Sequence, residues 1–324
     1  MMENAMITLP WGGEISFFVF LVVMGSLVAA VWTVYRCSLN RSGALRGLLF
    51  ILLSAVLAPG LGRAVYCGVR YVDIFYDPMG DFIGLSPFLD LTVGGFSAVG
   101  VILGVILAAA LTGLFTRGRV LALLDAVSVP GMVLFAGIRF IQPMIGLGHG
   151  DIIDYEPLCR FPFAIENGMG EYALSVCFFE AALALLIALI LLIAGFRCRK
   201  EGTLCGIALT LLCVSQILPE SLQRVDVLYL FIFARVSQMG YAVILFGTLL
   251  AFLIRGIRRG LSWKTAVVEL LLLLLGIGIC GGAEFALDKT NISNWIVYGG
   301  MLAALFGMAV LVLRRIIKED RAAA

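Results

Sequence analysis

The sequence predicts an all-α membrane protein, a polytopic bundle of about nine transmembrane helices. Of its 324 residues, 62% are hydrophobic and only 14% are charged, whereas soluble domains are about 45–50% apolar and about 25% charged. The hydrophobic residues are gathered into long runs, and the basic residues are concentrated in every second connection between those runs. These observations exclude a soluble globular domain, and we expect no nucleic-acid partner.

The apolar runs are the candidate spans, since a helix needs roughly 20 predominantly apolar residues to cross a bilayer. They cover residues 14–35, 45–67, 91–115, 120–147, 172–196, 204–217, 227–254, 265–284 and 293–313. The sixth run is short, and it either extends through Pro219 to Glu220 or stops as a broken helix. We expect residues 1–254 to form the membrane core and residues 255–324 to add two helices and a basic tail.

The positions of lysine and arginine predict the orientation of the chain, because cytoplasmic loops retain positive charge. Alternate connections carry Arg36, Arg41, Arg46, Arg117, Arg119, Arg197, Arg199, Lys200, Arg255, Arg258, Arg259, Lys264, Arg314, Arg315, Lys318 and Arg321. The opposite connections are acidic and carry Asp73, Asp77, Asp81, Asp151, Asp154, Glu156 and Asp288. This alternation requires an odd number of spans. It predicts the N-terminus outside and the C-terminus inside.

The two longest outer connections, residues 68–90 and 148–171, mix aromatic, proline and charged residues. Such segments favour the membrane interface, so we expect them to form a small head above the bundle. Residues 1–11 lack the positive region of a signal peptide, and we expect no cleaved signal. The eight cysteines are scattered without metal-ligand spacing. We therefore expect neither a metal site nor a cofactor.

Arginines lie unusually deep in the apolar runs. Arg63 ends the second run, and Arg139 lies within the fourth. Arg224 and Arg235 flank the start of the seventh. A charge at bilayer depth costs at least about 2.5–3.5 kcal/mol, so such residues usually serve a function. Because guanidinium groups are permanently charged and fit phosphate, arginines facing one leaflet predict a pocket for an anionic lipid head group.

Arg139 has two interpretations. It lies about 21 Å along the helix from Asp125, so these two charges do not pair. Gln142, at i+3, shares its face, which favours a polar cleft in the outer half of the membrane with Arg139 as an anion clamp. The alternative is a structural ion pair with Glu180 or Glu220.

A second group of polar residues ends the sixth run. Gln216, Glu220 and Gln223 are spaced at i, i+4 and i+7, which places them on one helix face. Arg235 and Gln238 follow in the next run. Such a stripe must face protein or water rather than lipid, and it either lines a site or forms a network that stabilises the bundle.

Five segments of the chain carry a resemblance to a known family. They are Gly62-Arg63…Tyr66; Gly94-Gly95…Ser97; Asp125…Pro130…Gly137-Ile138-Arg139…Gly146; Arg160-Phe161-Pro162 with Phe179-Glu180-Ala181; and Glu220…Asp226…Ser237-Gln238. Their types and order resemble the prolipoprotein diacylglyceryl transferases of bacterial inner membranes. The resemblance covers about residues 45–250. The last two spans are additional to the family's usual seven.

The resemblance implies a reaction and a set of residues for it. The family moves the diacylglyceryl group of phosphatidylglycerol to the lipobox cysteine of a preprolipoprotein and releases glycerol phosphate. The expected partners are this anionic phospholipid and the preprolipoprotein signal peptide, with the chain acting as a monomer. The implied catalytic residues are Arg139, Glu220 and Arg224. The implied substrate-binding residues are Arg63, Tyr66, Gly94, Gly95, Ser97, Gln142, Gly146, Gln216, Arg235 and Gln238.

The chain also departs from the family pattern. Val99 stands where the family has a histidine, and Gln216 and Gln223 stand where it has arginines. His149, the one histidine of the sequence, is either a displaced base or an interfacial loop residue. Two other functions therefore stay open, a non-catalytic phospholipid-binding relative and a lipid transporter. The chain lacks the paired half-repeats that many transporters show.

Overall fold

The computed structural model describes residues 6–8, 14–39, 43–77, 79–90, 95–166, 170–198, 200–225, 235–290 and 292–322. Within these residues, nine helices are long and apolar enough to cross a membrane, which confirms the predicted all-α polytopic bundle. They are α1 (Phe17–Leu39), α2 (Ala44–Val69), α4 (Ala98–Thr116), α5 (Val120–Ile141), α6 (Val176–Gly195), α7 (Thr203–Leu222), α8 (Val236–Ile257), α9 (Trp263–Lys289) and α10 (Asn294–Arg321), with a short helix α3 (Tyr71–Phe75) after α2. The orientation of the termini stays a prediction.

Helices α4 and α6 begin later than their apolar runs predict. The third run becomes α4, which begins at Ala98 because the side chain of Ser97 caps its first turn. The fifth run begins with a strand, Tyr172–Ser175, and its helix begins only at Val176. In one place the backbone forms a helix cap and in the other it pairs in a strand, and hydropathy predicts neither.

Helix α7 is longer than the run that predicts it. It continues through Pro219 to Leu222, as in the extended alternative for the sixth span. Its polar residues are accommodated because most of this helix is buried inside the bundle. The predicted start of the next span, at residue 227, lies outside the described residues, and α8 begins at Val236.

Short strands flank two of the helices. Strands β1 (Met6–Thr8) and β2 (Glu14–Ser16) pair ahead of α1. Strands β3 (His149–Ile152), β4 (Ala164–Glu166) and β5 (Tyr172–Ser175) form an antiparallel sheet in the order β3-β5-β4. This sheet lies in the connection between α5 and α6, which is one of the two loops predicted to form a head.

The first turn of α7 is held by a carboxylate from α5. Asp125 accepts the backbone N–H of Gly202 at 2.6 Å and that of Cys205 at 2.7 Å. These amides have no partner within their own helix, and the positive end of the helix dipole attracts the carboxylate. Asp125 is thus occupied at the opposite end of α5 from Arg139, in agreement with the prediction that the two do not pair.

Helices α9 and α10 pack against the rest of the bundle instead of forming a separate unit. Leu273 on α9 and Met301 and Val312 on α10 are buried in the same hydrophobic cluster as Leu212 on α7 and Leu245 on α8. The two additional helices therefore share one hydrophobic core with α7 and α8.

Helices α2 and α4 approach each other closely through glycine. A Cβ atom on Gly104 would lie 2.4 Å from the carbonyl oxygen of Leu57, and one on Gly100 would lie 2.4 Å from that of Leu61. Small residues allow such backbone contact in membrane helices, where packing rather than the hydrophobic effect drives association.

We expect Gly104→Ala to destabilise the protein, because the added methyl group must push the two backbones apart, at a cost of about 1–3 kcal/mol. The matched control is Gly60→Ala on α2, where nothing lies within 4 Å of the added atom. Thermal unfolding in detergent should show a lower midpoint for Gly104→Ala only. Equal midpoints for the two variants would contradict the close packing of α2 on α4.

Candidate functional site

Three charged side chains from three helices meet inside the bundle. Arg139 lies near the end of α5, Glu180 in α6 and Glu220 in α7. The Nε atom of Arg139 is 3.3 Å from Oε2 of Glu180, and its Nη2 atom is 3.7 Å from Oε1 of Glu220. All three residues are buried. The structure therefore shows the ion-pair alternative for Arg139, with both Glu180 and Glu220 as partners.

Neutral side chains hold the cluster in place. Nη1 of Arg139 donates to Oε1 of Gln142 at 3.1 Å, and the guanidinium lies 5.0 Å from the ring centre of Phe135. The Nε2 atom of Gln223 donates to both oxygens of Glu180 at 3.3 Å. Gln223 thus binds this carboxylate at a position where the sequence resemblance placed an arginine.

Several buried polar atoms around the cluster make no hydrogen bond within the part of the chain that the structure describes. They are both amide atoms of Gln216 and the hydroxyl of Tyr241. Gln216 and Tyr241 are fully buried. An unsatisfied polar group in a protein interior costs about 1–3 kcal/mol, so native proteins keep such groups where water or a ligand can bind them. The cluster is therefore equipped to bind a polar group.

Arg235 holds the end of α7 on which Glu220 lies. Its guanidinium donates to the carbonyl oxygens of Glu220, of Gln223 at 2.9 Å and of Ser221 at 3.0 Å. The last carbonyls of a helix lack partners within the helix, and they form the negative end of its dipole. The buried Arg235 donates hydrogen bonds to these carbonyls and places a positive charge at the negative end of the dipole. It also fixes the position of Glu220 relative to α8.

Arg63 binds the loop between α3 and α4. Its guanidinium donates to four backbone carbonyls, those of Pro87 at 2.9 Å, Phe88 at 3.1 Å, Asp90 at 2.8 Å and Gly95 at 3.1 Å. The hydroxyl of Tyr66, one turn later on α2, accepts from Arg70 at 3.0 Å. Among the predicted substrate-binding residues, Arg63, Gly95 and Ser97 are thus brought together at the start of α4.

Arg224 lies at the surface beside strand β3. Its Nε and Nη2 atoms contact the two carboxylate oxygens of Asp151 at 2.7 and 3.0 Å, and its side chain is 46% exposed. Gly146 ends the short 3-10 turn that follows α5, where its φ of 72° favours glycine. Two residues of the family resemblance, Gly94 and Asp226, lie outside the described residues.

The arginines are distributed over several networks, although the sequence predicted their convergence on one pocket. Arg139 pairs with carboxylates, Arg63 and Arg235 bind backbone carbonyls, and Arg224 pairs with Asp151. Hydropathy predicts how deep a residue lies in the membrane, but it does not predict how its helix is rotated about its own axis. Arg139, Gln142 and Glu220 do come together, and Arg235 holds the end of the helix that carries Glu220.

Val99, at the position of the family histidine, has an apolar environment. A Cβ atom on Gly240 would lie 2.6 Å from both methyl groups of Val99, so α4 and α8 are in close contact there. His149 lies instead in β3, and its Nδ1 atom is buried without a hydrogen bond to the described residues. Burial lowers the pKa of His149 below its usual range, so the imidazole is neutral at pH 7.

Sequence reasoning did not identify Tyr241 or Glu284 as part of this region. Tyr241 lies on α8 beside the Arg139 group. Glu284, on α9, accepts a hydrogen bond from Gln238 at 2.6 Å. A tyrosine in an apolar run and a carboxylate near the end of one both resemble interface residues, so only the packing of α8 and α9 identifies them.

Comparison with known proteins gives one informative likeness. No family model matches the chain. A phosphatidylglycerol–prolipoprotein diacylglyceryl transferase from Clostridium novyi (strain NT) is 26% identical to it over 200 residues, which cover 60% of this chain and 74% of that protein. The chain is thus a multi-pass membrane protein that is similar to a diacylglyceryl transferase.

Proposed function

We propose that this protein transfers the diacylglyceryl group of phosphatidylglycerol to the cysteine thiol of a preprolipoprotein in a bacterial inner membrane. The observation that carries the proposal is the buried cluster of Arg139, Glu180 and Glu220. These three residues fall in the segments that resemble the family, and the similarity to a named transferase supports the same activity.

The proposed reaction forms one bond and breaks another. The cysteine sulfur bonds to the glyceryl carbon that carries the phosphate. The carbon–oxygen bond to the phosphate breaks, and glycerol phosphate leaves with the electron pair. The thiol must lose its proton, because the thiolate is the nucleophile. A fixed cation must also stabilise the charge that develops on the phosphate, and such electrostatic stabilisation is usually the largest contribution to catalysis.

The two carboxylates have different roles in this proposal. Glu180 lies closer to Arg139 and also accepts from Gln223, so it orients the guanidinium. Glu220 is farther from Arg139, at 3.7 Å, and takes the proton of the thiol. Once Glu220 is neutral, Arg139 has lost one of its two negative partners. It then pairs with the leaving phosphate, so that proton transfer and phosphate stabilisation are coupled.

Arg224 is proposed as a second cation for the phosphate. Its ion pair with Asp151 is largely exposed. Surface pairs contribute only about 0–1 kcal/mol, so a phosphate can replace Asp151 at little cost. Arg63, Arg235 and Gln238 contribute by holding the segments around the substrate.

A non-catalytic phospholipid-binding function is the second candidate. The apolar packing of Val99 favours it, because a histidine base is absent at that position. This function predicts that the purified protein retains phospholipid but yields no diacylglyceryl product with a lipobox peptide. Only the formation of a diacylglyceryl product distinguishes the two functions, because both require phospholipid to bind.

The proposed chemistry makes Arg139 essential for transfer. Arg139→Ala should lower the rate of transfer at least about 100-fold, because the developing phosphate charge loses its fixed partner. The assay follows labelled phosphatidylglycerol and a lipobox peptide in detergent. Arg119→Ala is the matched control, since Arg119 is 57% exposed and pairs with Glu201. Its transfer rate should equal that of the wild type.

Folding must be monitored in the same experiment, because removing Arg139 leaves two buried carboxylates without their cation. Arg139→Lys keeps a charge but loses the planar fork of donors, so it should restore the unfolding midpoint more than the transfer rate. Transfer that survives in Arg139→Ala, or that recovers fully in Arg139→Lys, would contradict the assigned role.

A further experiment distinguishes phosphate binding by Arg224 from its surface ion pair with Asp151. If Arg224 binds the phosphate, Arg224→Ala should raise the KM for phosphatidylglycerol about tenfold, the loss expected for one charge-assisted hydrogen bond. Asp151→Ala, which removes the competing carboxylate, should leave that KM equal or lower. A similar rise in both variants would show that only the surface ion pair matters and would exclude Arg224 from the site.

A further inference from the structure

Glu284 reaches the end of α7 from a helix that lies outside the segment resembling the transferase family. Its Oε1 atom accepts a hydrogen bond from the hydroxyl of Ser221 and another, at 2.6 Å, from Nε2 of Gln238. All three side chains are buried. A single carboxylate oxygen thus joins α7, α8 and α9.

The two donors belong to the segments that place the candidate site. Ser221 directly follows Glu220, and Gln238 lies one turn after Arg235. Gln238 also donates to the carbonyl oxygen of Ile217 on α7 at 3.1 Å. Glu284 therefore binds both sides of the junction at which Arg235 caps α7.

The junction between α7 and α8 borders a half-open cavity. It has a volume of about 90 Å³, lies beside Glu284, and its walls include Arg235, Gln238, Met239 and Met301. On this side of the junction, the hydrogen bonds to Glu284 act together with those of Arg235 in holding α8 in register with the end of α7.

Joining helices through a buried carboxylate costs free energy, because the charge must be removed from water. A leucine at this position would avoid that desolvation but would accept neither hydrogen bond, so the Ser221 hydroxyl and the Gln238 amide would be left as buried donors without their acceptor. An amide oxygen could accept both bonds without a charge. The hydrogen bonds that place Ser221 and Gln238 are therefore what this side chain contributes.

We propose that Glu284 is a positioning residue for the reaction centre of Arg139 and Glu220. By holding Ser221 and Gln238, it fixes the end of α7 so that Glu220 stays within reach of Arg139. Helix α9, one of the two additional helices, then completes the site by supplying this carboxylate. The inference rests on the proposed function, because its consequence for catalysis is measured in the transfer reaction.

The test compares two substitutions of Glu284 in the full-length protein. Glu284→Leu should lower kcat about 10- to 100-fold with little change in KM, since a displacement of about 1 Å at a reaction centre costs this much. Its unfolding midpoint should also fall, because two buried donors lose their acceptor, so kcat is measured at a temperature at which every variant is folded. Glu284→Gln should retain most of kcat, because its amide oxygen accepts both hydrogen bonds. Cys280→Ala, one turn earlier on the same cavity wall, is the control and should leave kcat unchanged.

A wild-type kcat in Glu284→Leu would overturn the proposal, and so would an equal loss of kcat in Glu284→Gln, which keeps both hydrogen bonds. Hydrogen–deuterium exchange of residues 217–223 gives a readout that does not depend on transfer. Faster exchange in Glu284→Leu, with wild-type exchange in Glu284→Gln, supports the positioning role, and unchanged exchange in both overturns it. Absence of transfer in the wild type rejects the proposed function alone, and the exchange result still decides the role of Glu284.

Discussion

The ion pairs of Arg139 with Glu180 and Glu220 are the interaction on which the interior of this protein depends. A guanidinium inside a membrane protein must find negative partners, because it cannot lose its charge. Here the partners come from two different helices, so one residue of α5 fixes the positions of α6 and α7. Removing one partner of a buried pair typically costs about 3–5 kcal/mol, whereas each surrounding apolar contact contributes far less.

The same requirement for charge compensation orders the helix ends. Asp125 binds the first turn of α7 and Arg235 binds its last carbonyls, so both ends of this helix are held by charges opposite in sign to its dipole. The polar groups at the ends of α7, which would be costly in lipid, are thereby held in place by hydrogen bonds to charged side chains. In the proposed reaction, the phosphate therefore binds Arg139 by replacing a carboxylate that is already paired with it.

Much of the fold could be predicted from sequence, but the contacts of the site could not. Hydropathy gave the spans, and the i, i+4, i+7 spacing of Gln216, Glu220 and Gln223 indicated that α7 turns a polar face inward. The partners of Arg139 were left open because depth along a helix does not determine rotation. Arg63 was expected to face a ligand, yet it binds loop carbonyls, which have no side-chain signature. Glu284 could be identified only from the packing of the eighth span, which the family resemblance does not include.

The buried cluster is proposed to perform covalent chemistry as well as to stabilise the bundle. The most direct test incubates the purified protein with phosphatidylglycerol and a lipobox peptide and follows both products by mass spectrometry. We expect the peptide to gain one diacylglyceryl group on its cysteine and an equal amount of glycerol phosphate to be released. Bound phospholipid without either product would contradict this proposal and would assign the cluster a structural or lipid-binding role.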